Sequence, residues 1–154
     1  MTDHPTSQEL LSRSALAAFR LNGQFLALAE QLARPAGLTA TRWQVLGAVL
    51  PGPLTVSDIA RAMGITRQSV QRTADLLATE GLVEYHTNPA HARAKLVAPT
   101  DAGLAAINDI NPQHRAAATR IAARLGSDQW HATLTALELL SASLAEIDND
   151  PGEM

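Results

Sequence analysis

A glycine at position 64, set between two runs of helical periodicity, constrains this chain more than any other residue. The stretch around it, residues 55–98, reads TVSDIARAMGITRQSVQRTADLLATEGLVEYHTNPAHARAKLVA. Before the glycine, Val56, Ile59, Ala60 and Met63 recur at steps of three and four, the stripe of a short amphipathic helix. Thr55 and Asp58 have capping-box spacing at its start, with Asp in place of the usual Glu or Gln. After the glycine, Ile65 plugs the turn and Thr66 caps a second helix running to about Thr79, with Val70, Ala74 and Leu77 toward the core. Gly81 stands where a helix commonly ends on a left-handed residue. Residues 82–87 and 94–98 then alternate as two short strands (Val83/Tyr85 and Leu96/Ala98), and Asn88-Pro89 opens the turn between them. Two helices joined by a tight turn and followed by a hairpin make a winged helix-turn-helix, a shape suited to placing its second helix in the DNA major groove.

The flanks read as helices. From Gln8 to about Ala33, Leu11, Ala15, Phe19, Phe25 or Leu26, Ala29 and Leu32 recur at helical spacing, and Pro35-Ala36-Gly37 stops the run. Thr39 or Thr41 caps a helix through Leu50, carrying Trp43, Leu46 and Leu50 on one side, and Pro51-Gly52-Pro53 ends it. A long Ala-rich helix follows over 101–125, where Pro112 is expected to kink or interrupt it. Gly126 breaks that helix and Ser127 caps a last one to about Ile147, with Trp130, Leu134, Leu137, Leu144 and Ile147 near heptad spacing. Residues 1–7 and 148–154 read as loose polar tails. The expected fold is mainly α with a small β wing: one domain over 1–154, with helical regions at 8–34 and 101–148 flanking a DNA-binding lobe at 39–100.

Composition narrows the function classes. Hydrophobic residues make up 46% of the 154 but aromatics only 3%, so packing rests on small and aliphatic side chains. The absence of Cys excludes disulfides and thiolate metal sites and permits a reducing cytoplasm. His4, His86, His91, His114 and His131 contain no HxxxH pair, and neither a nucleophile elbow nor a phosphate-cradling glycine loop is present. No metal, cofactor or catalytic centre is therefore expected. The start Met-Thr-Asp-His lacks the basic and apolar regions of a signal peptide, and the apolar run at 43–50 is too short to span a bilayer. A cytoplasmic location without membrane contact is the expectation.

The net charge of −3 does not favour nucleic acid, but affinity depends on where charges sit. Between positions 61 and 72 there are three Arg and no acid. Gln68, Gln71 and Arg72 lie opposite the buried side of the second helix and suit base edges: Gln reads adenine N6 and N7, Arg reads guanine O6 and N7. Arg67 and Ser69 flank that stripe and suit phosphate contacts at the helix N-terminus, and Thr66 at the cap completes the set. Asp75, further along, has the spacing to pair with Arg72. On the hairpin, Arg93 and Lys95 would reach phosphate or the minor groove. The rival reading is a winged-helix module for protein or small-molecule binding that no longer touches DNA.

The residues ITRQSVQRTADLLATEGLV at 65–83, followed by NPAHARAKLVAPTDAG at 88–103, resemble the MarR family of bacterial winged-helix regulators, over roughly 8–148. Members commonly carry an Asp-x-Arg pattern in the wing and a Leu-Thr pair before the next helix. Arg93 and Thr100 match, whereas His91 stands in place of the Asp and Pro99 in place of the Leu. Ala90 and Ala92 stand where an acid and a second basic residue are often found. The resemblance implies a homodimer built from the first helix and the last two, palindromic double-stranded DNA sites, and repression relieved by a small ligand. It also implies a cavity for a phenolic or other aromatic acid, for which Phe19, Phe25 and Trp43 are the candidate lining residues.

Overall fold

The computed structural model describes residues 4–149. Of the expected loose ends at 1–7 and 148–154, residues 1–3 and 150–154 lie outside the described residues, whereas Thr6 and Ser7 begin a capped helix and 148–149 are helical. In order, the elements are α1 (Ser7–Ala33), a 3-10 turn (Arg34–Ala36), α2 (Ala40–Ala48), β1 (Leu54–Thr55), α3 (Val56–Met63), α4 (Arg67–Thr79), β2 (Val83–His86), β3 (Leu96–Pro99), α5 (Asp101–Leu125) and α6 (Ser127–Asn149). The fold is mainly helical with a small antiparallel sheet, as the periodicity predicts. The chain divides into two compact units, Met1–Pro112 and Gln113–Met154.

The first unit holds the core. Val45 and Leu46 from α2, Val49 just after it, Ile59 from α3, Val70, Ala74 and Leu77 from α4, Val97 from β3 and Ile110 from α5 are essentially without solvent contact. The sheet order is β1-β3-β2, with Leu54 opposite Val97 on one side of β3 and Tyr85 opposite Val97 on the other. β1 has no signature in the sequence. Two residues cannot display a period of two, and this strand exists because β3 offers a free edge beside it.

Threonines start the helices of the reading lobe. Thr39, Thr55 and Thr66 each accept the backbone N–H three residues on, at 3.2, 3.1 and 3.1 Å, satisfying one of the unpaired donors of a first turn. At Thr55 the box is half-formed: Asp58 turns its carboxylate to Arg61 instead of back to the cap. Gly64 has φ +66°, the left-handed turn that lets α3 stop and α4 set off in a new direction. α2 closes at Ala48, before the expected Leu50, since Pro51 disfavours helical backbone at the residue before it.

Gly103 answers to packing. A Cβ there would lie 2.1 Å from the Leu82 carbonyl oxygen, so only glycine lets the first turn of α5 rest on the junction between α4 and β2. Thr100 clasps the same junction: its hydroxyl donates to the Gly81 carbonyl at 2.6 Å and accepts from Gly103 N–H at 3.1 Å.

α5 stays helical on both sides of Pro112, so of the expected kink or interruption the interruption does not occur. The carbonyl that loses its partner belongs to Asn108, which lies on an exposed face rather than in the core. In the second unit α6 has no buried residue, and Leu134, Leu137, Leu140, Leu144 and Ile147 are all exposed. Within this chain the heptad-like stripe is therefore not core.

Candidate nucleic-acid interface

The buried side of α4 determines what its other side shows. Val70, Ala74 and Leu77 face inward as predicted, joined by Thr73, whose hydroxyl returns to the Ser69 carbonyl at 3.0 Å. Burying that face leaves Arg67, Gln68, Gln71, Arg72 and Asp75 exposed. Four of these five line one groove of about 590 Å³ together with Thr55, Val56 and Ser57 at the start of α3, Tyr85 of β2, and Arg93, Ala94 and Lys95 of the wing. The structure thus brings together side chains 38 positions apart in sequence, from Thr55 to Arg93. Arg67, Arg93 and Lys95 supply three cations to the groove, against the single carboxylate of Asp75 among the described residues that line it.

Thr66 is the N-cap of α4, and its hydroxyl oxygen is engaged by Ser69 N–H. Ser69 is half-buried and lies outside the groove. Arg67 reaches across to α3, donating from Nη1 to Ser57 Oγ at 3.3 Å. It also borders a second, shallower hollow of about 360 Å³ with Ala60, Arg61 and Ile65. Gln68 faces the groove, whereas Arg72, one turn further along α4, is exposed outside it. Arg72 does not pair with Asp75, contrary to the spacing argument: Asp75 accepts from Gln71 Nε2 at 3.0 Å and from the Tyr85 hydroxyl at 2.5 Å. Two donors, Gln71 from α4 and Tyr85 from β2, converge on one oxygen of the Asp75 carboxylate on the groove side.

The wing loop at 87–95 is shaped by its first residues. Asn88 Oδ1 accepts Ala90 N–H at 3.0 Å and the Asn88 carbonyl accepts His91 N–H at 3.2 Å, a side-chain turn followed by a backbone turn. This brings Arg93 and Lys95 back toward α4. His91 is exposed outside the groove.

Tyr85, Thr55, Val56, Ser57 and Ala94 line the groove without being predicted there, and Asp75, expected on this face, has a different partner from the one its spacing implies. Gln71 and Asp75 were within reach of sequence reasoning, being four apart on one helix and so neighbours on its surface. Tyr85 reaches them only through the pairing of β2 with β3, which no local spacing reveals. Burial, then the hydrogen bond and the negative charge of Asp75, push the Tyr85 hydroxyl above the ordinary phenol range.

The aromatic candidates for a ligand cavity take no part in this groove. Phe19 and Phe25 stand exposed on α1, 71% and 53% accessible, and Trp43 packs half-buried against the core. Among the described residues no helix is long and apolar enough to cross a membrane.

A sequence profile of the MarR family matches residues 36–94, which include α3, α4, β2 and most of the wing loop. An uncharacterized protein of Mycobacterium tuberculosis is 32% identical over 134 residues, covering 87% of this chain and 94% of the relative. The chain belongs to the MarR family. Solved structures share its fold at lower identity. MosR of M. tuberculosis, solved in complex with DNA, is 24% identical with a TM-score of 0.67, covering 84% of this chain and 96% of that one. CouR from Rhodococcus jostii, solved with p-coumaroyl-CoA bound, is 23% identical with a TM-score of 0.73, covering 87% and 95%. Membership of the MarR family makes this chain a transcription regulator and not an enzyme.

Proposed function

We propose that this MarR-family protein is a repressor that binds a pseudo-palindromic operator as a homodimer. Helix α4 lies in the major groove and the wing reaches the neighbouring backbone or minor groove. The observation that carries this reading is the groove in which Gln68 and Gln71, able to read base edges, meet Arg67, Arg93 and Lys95, able to hold phosphate. Arg72, exposed beside the groove, extends the reading face along the duplex. Thr66 and Ser69 contribute through the N-terminus of α4, where free N–H groups favour an anion. MosR, bound to DNA, supports the same use of this fold.

Dimerisation supplies the second α4. Leu10, Leu11, Leu16, Phe19 and Phe25 on α1 and the leucines of α6 are exposed in the single chain, far more apolar surface than a lone protomer usually shows. Covering them with a second copy assigns 8–34 and 101–148 to the dimer and 39–100 to DNA reading within one functional domain. CouR bound to p-coumaroyl-CoA supports release by a small aromatic effector, with Phe19, Phe25 and Trp43 as candidate contacts in the assembled dimer. Such a regulator works in the cytoplasm, beside the chromosome.

Selection of bound duplexes from a random pool tests the reading. The expected result is an inverted repeat with half-sites about one helical turn, roughly 10 base pairs, apart. Arg72→Ala is expected to lose specific binding while unfolding at the wild-type temperature. Recovery of no enriched sequence would overturn the proposal in favour of a module that does not bind DNA.

A further inference from the structure

A glutamine free in solution is ambiguous to a base. Rotating its terminal amide by half a turn exchanges a donor for an acceptor, so the same side chain accepts an amino edge or donates to a keto edge. Gln71 does not have that freedom. Its Nε2 lies 3.0 Å from Asp75 Oδ1 and 3.1 Å from Tyr85 Oη, and these two oxygens are themselves 2.5 Å apart. The protons distribute in one way. A carboxylate only accepts, so the Tyr85 O–H donates to Asp75, and the lone pairs of both oxygens are left facing Gln71. Turning the amide over would set its oxygen against two oxygens with no proton between them. A phenol is protonated at neutral pH in any case, and the raised pKa of Tyr85 extends this distribution into alkaline conditions.

We propose that Asp75 and Tyr85 are positioning residues that hold the Gln71 amide with its nitrogen toward β2 and its carbonyl oxygen outward, so that Gln71 selects a base bearing an exocyclic amino group. In the major groove those bases are adenine, through N6, and cytosine, through N4, whereas guanine O6 and thymine O4 present acceptors that the Gln71 oxygen repels. The inference rests on the reading that α4 enters the major groove, and it deepens that reading by assigning a chemical preference to one position of each half-site. It also replaces the looser expectation that every glutamine of α4 reads adenine: among the described residues Gln68 makes no such bond and keeps its choice.

The test is selection from a random duplex pool by the full-length wild-type protein and by Gln71→Ala, Asp75→Asn and Tyr85→Phe. Gln71 and Asp75 are exposed, and circular dichroism of each variant checks that it folds. Wild type is expected to prefer adenine or cytosine at one position per half-site by about tenfold, within the range a base-edge contact contributes. Gln71→Ala flattens that position and leaves the rest of the motif. Asp75→Asn can donate as well as accept, so it frees the amide to turn and admits guanine and thymine at the same position. Tyr85→Phe keeps the Asp75 bond and retains the preference in weaker form. A wild-type preference for guanine or thymine at the Gln71-dependent position would overturn the inference. So would an Asp75→Asn motif identical to wild type, or a Gln71→Ala motif unchanged at every position. In these three cases the operator reading stands. A wild-type protein that enriches no motif overturns the operator reading itself.

Discussion

Helix α4 and the wing loop at 87–95 bring similar side chains to one groove by opposite means. Four residues of α4 are buried in the core, so the angle at which Gln68 and Gln71 face outward is set by packing that a side-chain change on the outer face does not disturb. The wing loop has no buried residue, and its path depends on two successive turns begun by Asn88. Helix and wing therefore divide the labour. Base reading needs donors and acceptors held to fractions of an ångström and falls to the helix, whereas phosphate attraction tolerates looser placement and falls to the wing.

Three measurements separate the roles of helix and wing, beginning with the largest effect. Leu77→Ala removes a fully buried side chain from the helix that sets the reading angle. It is expected to lower unfolding stability by about 2–5 kcal/mol in urea titration, and to blur sequence preference before it abolishes non-specific binding. Equal weakening of both kinds of binding would mean that core packing does not set specificity. Replacing Arg93 and Lys95 together by Ala should leave the urea midpoint unchanged, since neither side chain is buried. Binding should weaken similarly for operator and unrelated DNA, and the salt slope should fall by roughly 0.9 for each phosphate that the wing no longer neutralises. A change confined to operator DNA would move base reading into the wing.

The smallest effect concerns Tyr85, which ties β2 to α4. Its folded-state pKa is raised, so above the unfolded phenol value of about 10 the unfolded chain releases a proton that the folded chain retains. The stability it contributes is fully present below that pH and declines as pH rises through the folded value. Wild type should therefore lose more stability than Tyr85→Phe between neutral and strongly alkaline conditions, as read by urea midpoints. Identical slopes would show that the phenol is not held by Asp75. The chain has a single tyrosine, so phenolate absorbance during the same titration reports on this site alone.

Much of this was legible in the sequence, for reasons that residues make plain. The interior of α4 follows from Val70, Ala74 and Leu77, because burial repeats at the helical period whatever the partner. Gly64, Gly81 and the threonine caps announce the ends of α3 and α4 through local backbone chemistry. What could not be read was whatever depends on two distant segments meeting. β1 exists only because of β3, the constraint on Gly103 only because of Leu82, and the partner of Asp75 only because Tyr85 lies across from it. Charge spacing along one helix pointed Asp75 at Arg72, and tertiary geometry supplied better donors.

Thr55 belongs at once to β1, where it faces Leu96, and to the cap of α3, where it holds Asp58 N–H. No residue separates the sheet from the helix at that point. Length is therefore free to drift in the chain at 87–95, where an insertion would only enlarge a loop, and is forbidden at 54–58. A single added residue there would turn Leu54 out of register with Val97 or carry the threonine off its helix. Related chains that differ in reach along the DNA backbone should accordingly differ in the number of residues between β2 and β3, and agree in the spacing from Leu54 to Gly64.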